Sequence, residues 1–79
     1  MKIPRDLSGE DLVQLLCRNW SYRVVHQVGS HIVLETKTPG HQRIVVPAHK
    51  NLRLGTLNAI LRAIATHKGV ERAEILRNL

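Results

Sequence analysis

The stretch SYRVVHQVGSHIVLETKT, Ser21 to Thr38, decides the fold, because two runs of strand-forming residues flank a connection of only two residues. Both runs are rich in Val, Ile, Thr and Tyr, residue types that are enriched in β-strands. Gly29 and Ser30 form the connection, and glycine adopts the positive φ that the first position of a type II′ turn requires. The stretch therefore predicts an antiparallel hairpin with a tight turn.

A two-residue turn also fixes which residues of the hairpin face each other. The expected opposite pairs are Val28 with His31, His26 with Val33, and Val24 with Glu35. Because side chains alternate along a strand, these residues share one face of the hairpin. The residues of the other face are then Val25, Gln27, Ile32 and Leu34. Apolar residues occur on both faces, so the pattern leaves open which face the helices cover.

A first helix is predicted before the hairpin, in the segment DLSGEDLVQLLCRN. Ser8 is the expected N-cap. Leu12, Leu15 and Leu16 have the i, i+3, i+4 spacing of one apolar helix face. Cys17 is the only cysteine, which excludes an internal disulfide, and we expect it to act as a small apolar residue.

The chain after the hairpin predicts a turn, a third strand and a long helix. Pro39 and Gly40 suit a type II turn, and the segment QRIVV that follows predicts a strand closed by Pro47. The segment TLNAILRAIATHK predicts the helix, with Thr56 as its N-cap and Gly69 as its stop. The apolar face of this helix consists of Leu57, Ile60, Leu61 and Ile64.

The tail VERAEILRNL predicts a short last helix, with Val70, Ala73 and either Ile75 or Leu76 directed inward. The predicted order is then α-β-β-β-α with a tail helix. This order indicates an α+β fold, in which the helices pack on one face of a three-stranded antiparallel sheet. We expect a single domain over residues 1–79, with its core at about 7–69 and the tail helix at about 70–79.

The distribution of charge indicates the kind of partner. The net charge is +6, and residues 36–70 contain no Asp or Glu. The cations of this stretch are Lys37, Arg43, Lys50, Arg53, Arg62 and Lys68. A basic surface attracts phosphate backbones. A solvated face that keeps the protein soluble and a surface for an acidic protein partner are the alternatives.

Most other chemistries lack their motif in this chain. No apolar run approaches the roughly 20 residues of a membrane span, and the N-terminal segment is too charged for a signal peptide, so we expect a cytoplasmic protein without a membrane partner. His26 and His31 have no acidic or thiol neighbour on their face except Glu35. Gly-rich phosphate loops and catalytic-triad motifs are missing. We therefore expect neither a metal nor any small-molecule cofactor.

A histidine in a basic field is compatible with RNA cleavage that needs no metal. The histidine takes the proton from a ribose 2′-hydroxyl, and that oxygen attacks the adjacent phosphorus. Cations stabilise the charge that develops. Histidine suits this role because its ordinary pKa is about 6.5. His31 is a candidate, although a histidine directly after a turn is more often structural or simply exposed.

Three short motifs occur in order along the chain: VGSH at Val28–His31, VPAH at Val46–His49 and GTLNAIL at Gly55–Leu61. Together they resemble the HicA family, the toxin half of HicA–HicB toxin–antitoxin pairs. The family pattern has a strand ending in G-S-H, a third strand ending in V-P-x-H, and G-T-L-x-x-I-L on the last main helix. The resemblance spans roughly Leu7 to Gly69, and it rests on three motifs in register rather than on any one of them.

The resemblance implies a fold like that of double-stranded-RNA-binding domains. It also implies a ribosome-independent ribonuclease that cleaves messenger RNA, with His31 as the catalytic residue. Gly29 and Ser30 are then expected to present His31. A HicB-type antitoxin that covers the active site is the implied protein partner.

Charge and placement, rather than the resemblance, suggest which residues contact RNA. The candidates are Arg23, Arg43, His49, Lys50 and Arg53. Lys50 and Arg53 flank the predicted N-terminus of the long helix, which is a ready site for an anion. A solvated side chain is the alternative for both. Two other functions stay open at this point: a non-catalytic RNA-binding module of the same fold, and a protein-interaction domain whose basic face meets an acidic partner.

Overall fold

The computed structural model describes residues 7–77, and this part of the chain contains three helices and three strands. In chain order the elements are α1 (Gly9–Asn19), β1 (Arg23–Val28), β2 (His31–Thr36), β3 (Gln42–Pro47), α2 (Leu54–Lys68) and α3 (Arg72–Leu76). The strands form one antiparallel sheet in the order β1-β2-β3. The predicted α+β fold is thus confirmed. The predicted extensions of the first helix to Asp6 and of the tail helix to Leu79 lie outside the described residues.

Helix α1 begins where the sequence predicts. Ser8 Oγ accepts a hydrogen bond of 3.0 Å from the backbone N–H of Asp11, which satisfies one of the groups left unpaired at a helix start. Leu12 and Leu16 are completely buried, whereas Leu15 is half-buried. The apolar face of the helix is therefore centred on Leu12 and Leu16.

The turn between β1 and β2 has the predicted conformation. Gly29 has a φ of +59°, whereas Ser30 has no positive φ. A positive φ at the first turn position alone is the pattern of a type II′ turn. Glycine is therefore required at position 29 for a backbone reason.

The register of the hairpin agrees with the prediction near the turn and departs from it farther along. The pairs that the structure confirms are Val28 with His31 and His26 with Val33. Glu35, however, pairs with Arg23, and Val24 pairs with Leu34, so the predicted pairing of Val24 with Glu35 is wrong. The cause is a β-bulge between Val24 and His26. An extra residue on one strand shifts every later pair by one position.

The turn between β2 and β3 is not of type II, so this prediction is also wrong. Gly40 lacks the positive φ that type II requires, and the Thr38–Pro39 peptide bond is cis. The ammonium group of Lys68 donates a hydrogen bond to the carbonyl of Thr38. The Nε2 atom of His67 lies 2.8 Å from the carbonyl oxygen of Gly40. Contacts from the end of α2, which local sequence does not reveal, therefore hold this turn.

Helix α2 begins at Leu54, so the predicted N-cap at Thr56 is wrong. Arg53 is the N-cap instead, and its carbonyl already accepts the first intrahelical hydrogen bond, of 2.9 Å, from the N–H of Leu57. The predicted stop is confirmed. Gly69 ends the helix in the left-handed conformation with a φ of +69°, which glycine adopts without steric cost.

The core lies between the helices and one face of the sheet. Its sheet residues are Ile32, Leu34, Ile44 and Val46. Its other members are Leu12, Val13, Leu16, Tyr22, Leu52, Leu57, Ile60, Leu61, Ile64, Ala65 and Ile75. Val33 does not belong to this cluster, so the helices cover the face that carries Ile32 and Leu34. Strand β1 is covered least, since Val25 on it is half-buried and Gln27 is exposed.

The tail packs against this core. Ile75 of α3 is fully buried, and Val70 and Leu76 are partly buried against the cluster. Cys17 of α1 is also partly buried there, and this burial raises the pKa of its thiol. Cys17 therefore resembles a small apolar residue rather than a reactive thiol.

Candidate active site on the open face of the sheet

We call the side of the sheet opposite the helices the open face. By strand register it carries Arg23, His26 and Val28 on β1, His31, Val33 and Glu35 on β2, and Arg43, Val45 and Pro47 on β3. Val28 and Val45 are 64% and 48% exposed, so no helix within residues 7–77 covers them. The described part of the chain thus leaves this face accessible to a ligand.

One end of the open face joins two segments that are distant in the sequence. His31 pairs with Val28 on one side and with Pro47 on the other. The N–H of Ala48 donates a 2.6 Å hydrogen bond to the carbonyl of Ser30. The motifs VGSH and VPAH therefore meet at what we call the histidine end, residues 28–31 and 47–49.

The start of α1 supports this end from the side. The N–H of Gly9 donates a 2.9 Å hydrogen bond to the carbonyl of His49. A Cβ atom on Gly9 would lie only 1.8 Å from the carbonyl oxygen of Pro47, so no larger residue fits there without moving the backbone. Sequence reasoning missed Gly9, because a close approach between α1 and β3 is a tertiary contact without a local pattern.

His31 is exposed at the first position of β2. Its side chain forms no hydrogen bond or ion pair with any residue of the described part. His26 shares the face, is also exposed, and is the diagonal neighbour of His31, for which the typical separation is about 7–8 Å. An exposed imidazole without a protein partner is able to exchange a proton with a ligand.

Three of the predicted RNA contacts lie in the segment between β3 and the first turn of α2. His49, Lys50 and Arg53 are all exposed. Arg53 is the N-cap of α2, where free backbone N–H groups favour anions. Neither Lys50 nor Arg53 forms an ion pair within residues 7–77. Glu10 and Asp11, in the first turn of α1, contribute opposite charge beside the segment that Gly9 contacts.

The other end of the open face holds a buried carboxylate bonded by two arginines and one histidine, which we call the Glu35 cluster: Glu35, Arg23, Arg43 and His41. Glu35 Oε1 accepts a 3.3 Å hydrogen bond from Arg23 Nη2. Glu35 Oε2 accepts one of 3.2 Å from Arg43 Nη2 and lies 2.9 Å from His41 Nε2. Hydrogen bonds from His41 first, and then from Arg43, lower the pKa of Glu35 from 4.5 to about 2.

The two ends of the open face do not touch. Glu35 lies four positions along β2 from His31, which corresponds to about 13 Å in an extended strand. The predicted RNA contacts therefore divide into two groups. Arg23 and Arg43 lie in the Glu35 cluster, whereas His49, Lys50 and Arg53 lie in the chain segment that follows β3, the strand whose last residue, Pro47, pairs with His31.

The Glu35 cluster is visible only in part from the sequence. Alternation along β2 correctly predicts that Glu35 shares a face with His31. The partners of Glu35 come from β1, from β3 and from the turn before β3, so only the assembled sheet brings them together. For this reason His41 is not among the residues that the sequence predicts for the site.

The described part shows no cluster of metal ligands and no membrane-spanning helix. Within residues 7–77, no three His, Cys, Asp or Glu side chains converge to hold one metal ion. No helix in that range has both the length and the apolar character needed to cross a bilayer.

Most of the chain matches a known protein family. A family model described as the HicA toxin of bacterial toxin–antitoxin systems matches residues 9–65. The matched range includes α1, the whole sheet and most of α2, and with them both segments of the histidine end. No curated protein and no solved structure matches the chain.

Proposed function

Because the chain belongs to the HicA toxin family of bacterial toxin–antitoxin systems, we propose that it is an endoribonuclease toxin that cleaves messenger RNA at the histidine end. His31 acts as the general base. The observation that carries this proposal is the exposed side chain of His31, which has no partner within residues 7–77 and lies at the junction of the motifs VGSH and VPAH. A base needs this access, because its nitrogen must come within hydrogen-bond distance of the proton that it removes.

The proposed reaction is a proton transfer coupled to phosphoryl transfer. The imidazole of His31 takes the proton from a ribose 2′-hydroxyl, and the 2′-oxygen forms a bond to the adjacent phosphorus. The bond from phosphorus to the 5′-oxygen breaks, and that oxygen takes up a proton from the solvent, to which the protonated imidazole of His31 then returns its own. The products are a 2′,3′-cyclic phosphate and a 5′-hydroxyl, so the step requires neither a metal nor another cofactor.

Other residues of the histidine end have supporting roles in this proposal. Gly29 and Ser30 fix the position of His31 through the type II′ turn. His49, Lys50 and Arg53 contact the RNA backbone, and their positive charge or hydrogen-bond donors offset the phosphate charge that increases during attack. Arg23 and Arg43 add RNA contacts at the other end of the open face.

The proposed partner is a HicB-type antitoxin that covers the histidine end. Val28 is 64% exposed beside His31 and gives such a partner an apolar contact. Covering His31 excludes RNA from the base, which is a sufficient mechanism of neutralisation. The proposed place of action is the cytoplasm, where the messenger RNA substrate is found.

The test compares the wild-type protein with His31→Ala and with His26→Ala. The second variant is the matched control, because His26 is the other exposed histidine on the open face. We expect the wild type and His26→Ala to arrest growth on induction and to cut purified RNA in the presence of EDTA. Loss of a general base costs about 10²- to 10⁴-fold in rate, so His31→Ala should be inactive in both assays.

The same test separates the other two functions. Binding of RNA that stays intact after long incubation, with an affinity that falls as salt increases, would indicate a non-catalytic RNA-binding module. A stable complex with an acidic partner and no RNA affinity would indicate a protein-interaction domain. Undiminished toxicity of His31→Ala would refute the assignment of His31.

A further inference from the structure

We propose that the Glu35 cluster, together with the pocket beside it, is a second RNA subsite that binds the phosphate backbone a few nucleotides from the bond cut at His31. The inference rests on the proposed function, since it names a further contact with the same substrate. In this subsite Glu35 is a positioning residue. Its side chain forms part of the pocket wall but is only 9% exposed, and it orients the arginines that bind the RNA.

Exposure differs strongly between the carboxylate of the cluster and the three side chains that bond it. The side chain of Glu35 is 9% exposed, whereas those of Arg23, Arg43 and His41 are 68%, 54% and 61% exposed. Each arginine uses Nη2 to bond Glu35, and a guanidinium group has five N–H donors. A ligand at this surface therefore meets unused cationic donors and almost none of the carboxylate.

A pocket with a volume of about 330 Å³ adjoins the cluster. Its lining residues are Ser21, Arg23, Glu35, Thr36, Lys37 and Thr38. Lys37 adds a further exposed cation, and the hydroxyl groups of Ser21 and Thr38 are donors of the kind that contact phosphate oxygens in nucleic-acid complexes. The pocket thus offers both charge and hydrogen-bond donors to a phosphate group.

The balance of charge in and beside the cluster favours an anion. Arg23, Arg43 and Lys37 carry three positive charges against the single negative charge of Glu35. The other acidic residues of the described part lie outside the cluster, at Glu10 and Asp11 on α1 and at Glu71 and Glu74 around α3. A net positive pocket selects an anion.

The position of the cluster identifies this anion as RNA. The cluster lies on the same open face as His31, at a distance of about 13 Å along β2. A stacked nucleic-acid strand advances about 3.4 Å per nucleotide, so this distance corresponds to about four nucleotides of a stacked strand and to fewer of an extended one. One strand lying across the face therefore reaches both ends.

If Glu35 orients the arginines, Glu35→Gln should change the RNA affinity in the direction opposite to the one that electrostatics alone predicts. Glu35→Gln removes a negative charge, so electrostatics alone predicts tighter RNA binding. Positioning predicts weaker binding, because the arginine forks lose the group that holds them in place. The direction of the change thus distinguishes the two roles.

The experiment measures binding rather than cleavage, so that it does not depend on the proposed activity. The protein carries His31→Ala, and the probe is a ten-nucleotide RNA with 2′-O-methyl groups, which cannot be cut by 2′-oxygen attack. The double variant Arg23→Gln, Arg43→Gln is compared with Arg18→Gln, Arg62→Gln. The control pair changes the net charge equally at exposed arginines on α1 and α2.

We expect the cluster variant to bind the probe at least about tenfold more weakly, as loss of two charge-assisted contacts implies. The slope of log affinity against log salt should decrease by about 1.4, which is two contacts at about 0.7 each for a single strand. The control variant should change both quantities much less.

Several results would overturn the inference. Equal loss of affinity in the two double variants would show that the cluster acts only through the net charge of the protein. Tighter binding by a folded Glu35→Gln variant would refute its positioning role. Unchanged RNA affinity with loss of an acidic peptide ligand would make the cluster a protein-docking surface. If cleavage by the wild type requires His31 while the cluster variant binds normally, the subsite fails and the proposed function stands. If cleavage by the wild type does not require His31 while the cluster variant binds RNA more weakly, the subsite stands and the proposed function fails.

Discussion

The two ends of the open face hold their functional groups in different ways. At the histidine end the backbone determines the geometry, through the Gly29 turn, the bond from Ala48 to Ser30 and the contact of Gly9 with Pro47. At the other end side chains determine it, because two arginines and one histidine bond one buried carboxylate. The side chain of His31, the proposed base, thus has no partner within residues 7–77, while the arginine side chains of the Glu35 cluster are held in place.

The largest expected effect is a loss of stability when the backbone contact that supports the histidine end is disrupted. Gly9→Ala places a Cβ against the Pro47 carbonyl, and we expect a loss of about 3 kcal/mol in the free energy of unfolding. Gly55→Ala is the matched control, since a Cβ there would meet no atom within 4 Å and the residue lies in a helix. For this control we expect a gain of up to about 1 kcal/mol. Equal urea midpoints for the two variants would show that the contact has no importance.

The second-largest expected effect concerns the Glu35 cluster and depends on pH. The pKa of Glu35 is lowered from 4.5 to about 2 in the folded protein, so its stabilising contribution is complete above pH 4.5. That contribution is lost as the pH falls from 4.5 towards 2. Glu35→Gln should therefore have a lower urea midpoint than the wild type at about pH 7, and this difference should shrink at about pH 3 and be smallest at about pH 2.

The control for this prediction is Glu71→Gln, an exposed residue outside the cluster. Its difference from the wild type should be small and should not follow the same pH course. A Glu35→Gln difference that stays constant between about pH 7 and pH 2 would contradict the ion-pair account of this end.

The smallest effect lies beneath the Glu35 cluster, on the other side of the sheet. Tyr22 donates a 2.6 Å hydrogen bond from its hydroxyl group to Gln42 Oε1, and burial raises the pKa of Tyr22 to about 12. Tyr22→Phe should lower the free energy of unfolding by about 1 kcal/mol near pH 7. The difference in the free energy of unfolding between the wild type and Tyr22→Phe should become smaller as the pH rises from 10 towards 12. Only the wild type must then keep a buried hydroxyl group protonated.

Ultraviolet titration measures this pKa directly, since Tyr22 is the only tyrosine. A midpoint near 12 is expected for the folded protein, and a midpoint near 10 would show that the ring is not buried. RNA binding should be unchanged in Tyr22→Phe. A large loss of binding would mean that the cluster depends on the layer beneath it.

Local patterns in the sequence are sufficient for the elements and for the face of the hairpin on which His31 lies. Alternation and the type II′ turn need only neighbouring residues. The bulge at Val25 is not visible in such a pattern, so the predicted pairing of Glu35 is wrong by one residue. The turn at Gly40 depends on a contact with α2, and the close approach of Gly9 depends on its contact with β3. Both contacts join residues that are distant in the sequence, so no local pattern reveals them.

The chemistry of the cut ends decides whether His31 acts as the general base. Wild-type protein with EDTA and a 5′-labelled RNA should produce fragments ending in a 2′,3′-cyclic phosphate, and a single 2′-deoxy substitution at the cut site should leave the RNA intact. His31→Gln should lower the rate of cleavage by about 10²- to 10⁴-fold. Cleavage by His31→Gln at the wild-type rate, with the same ends, would contradict the assignment of His31 as the base.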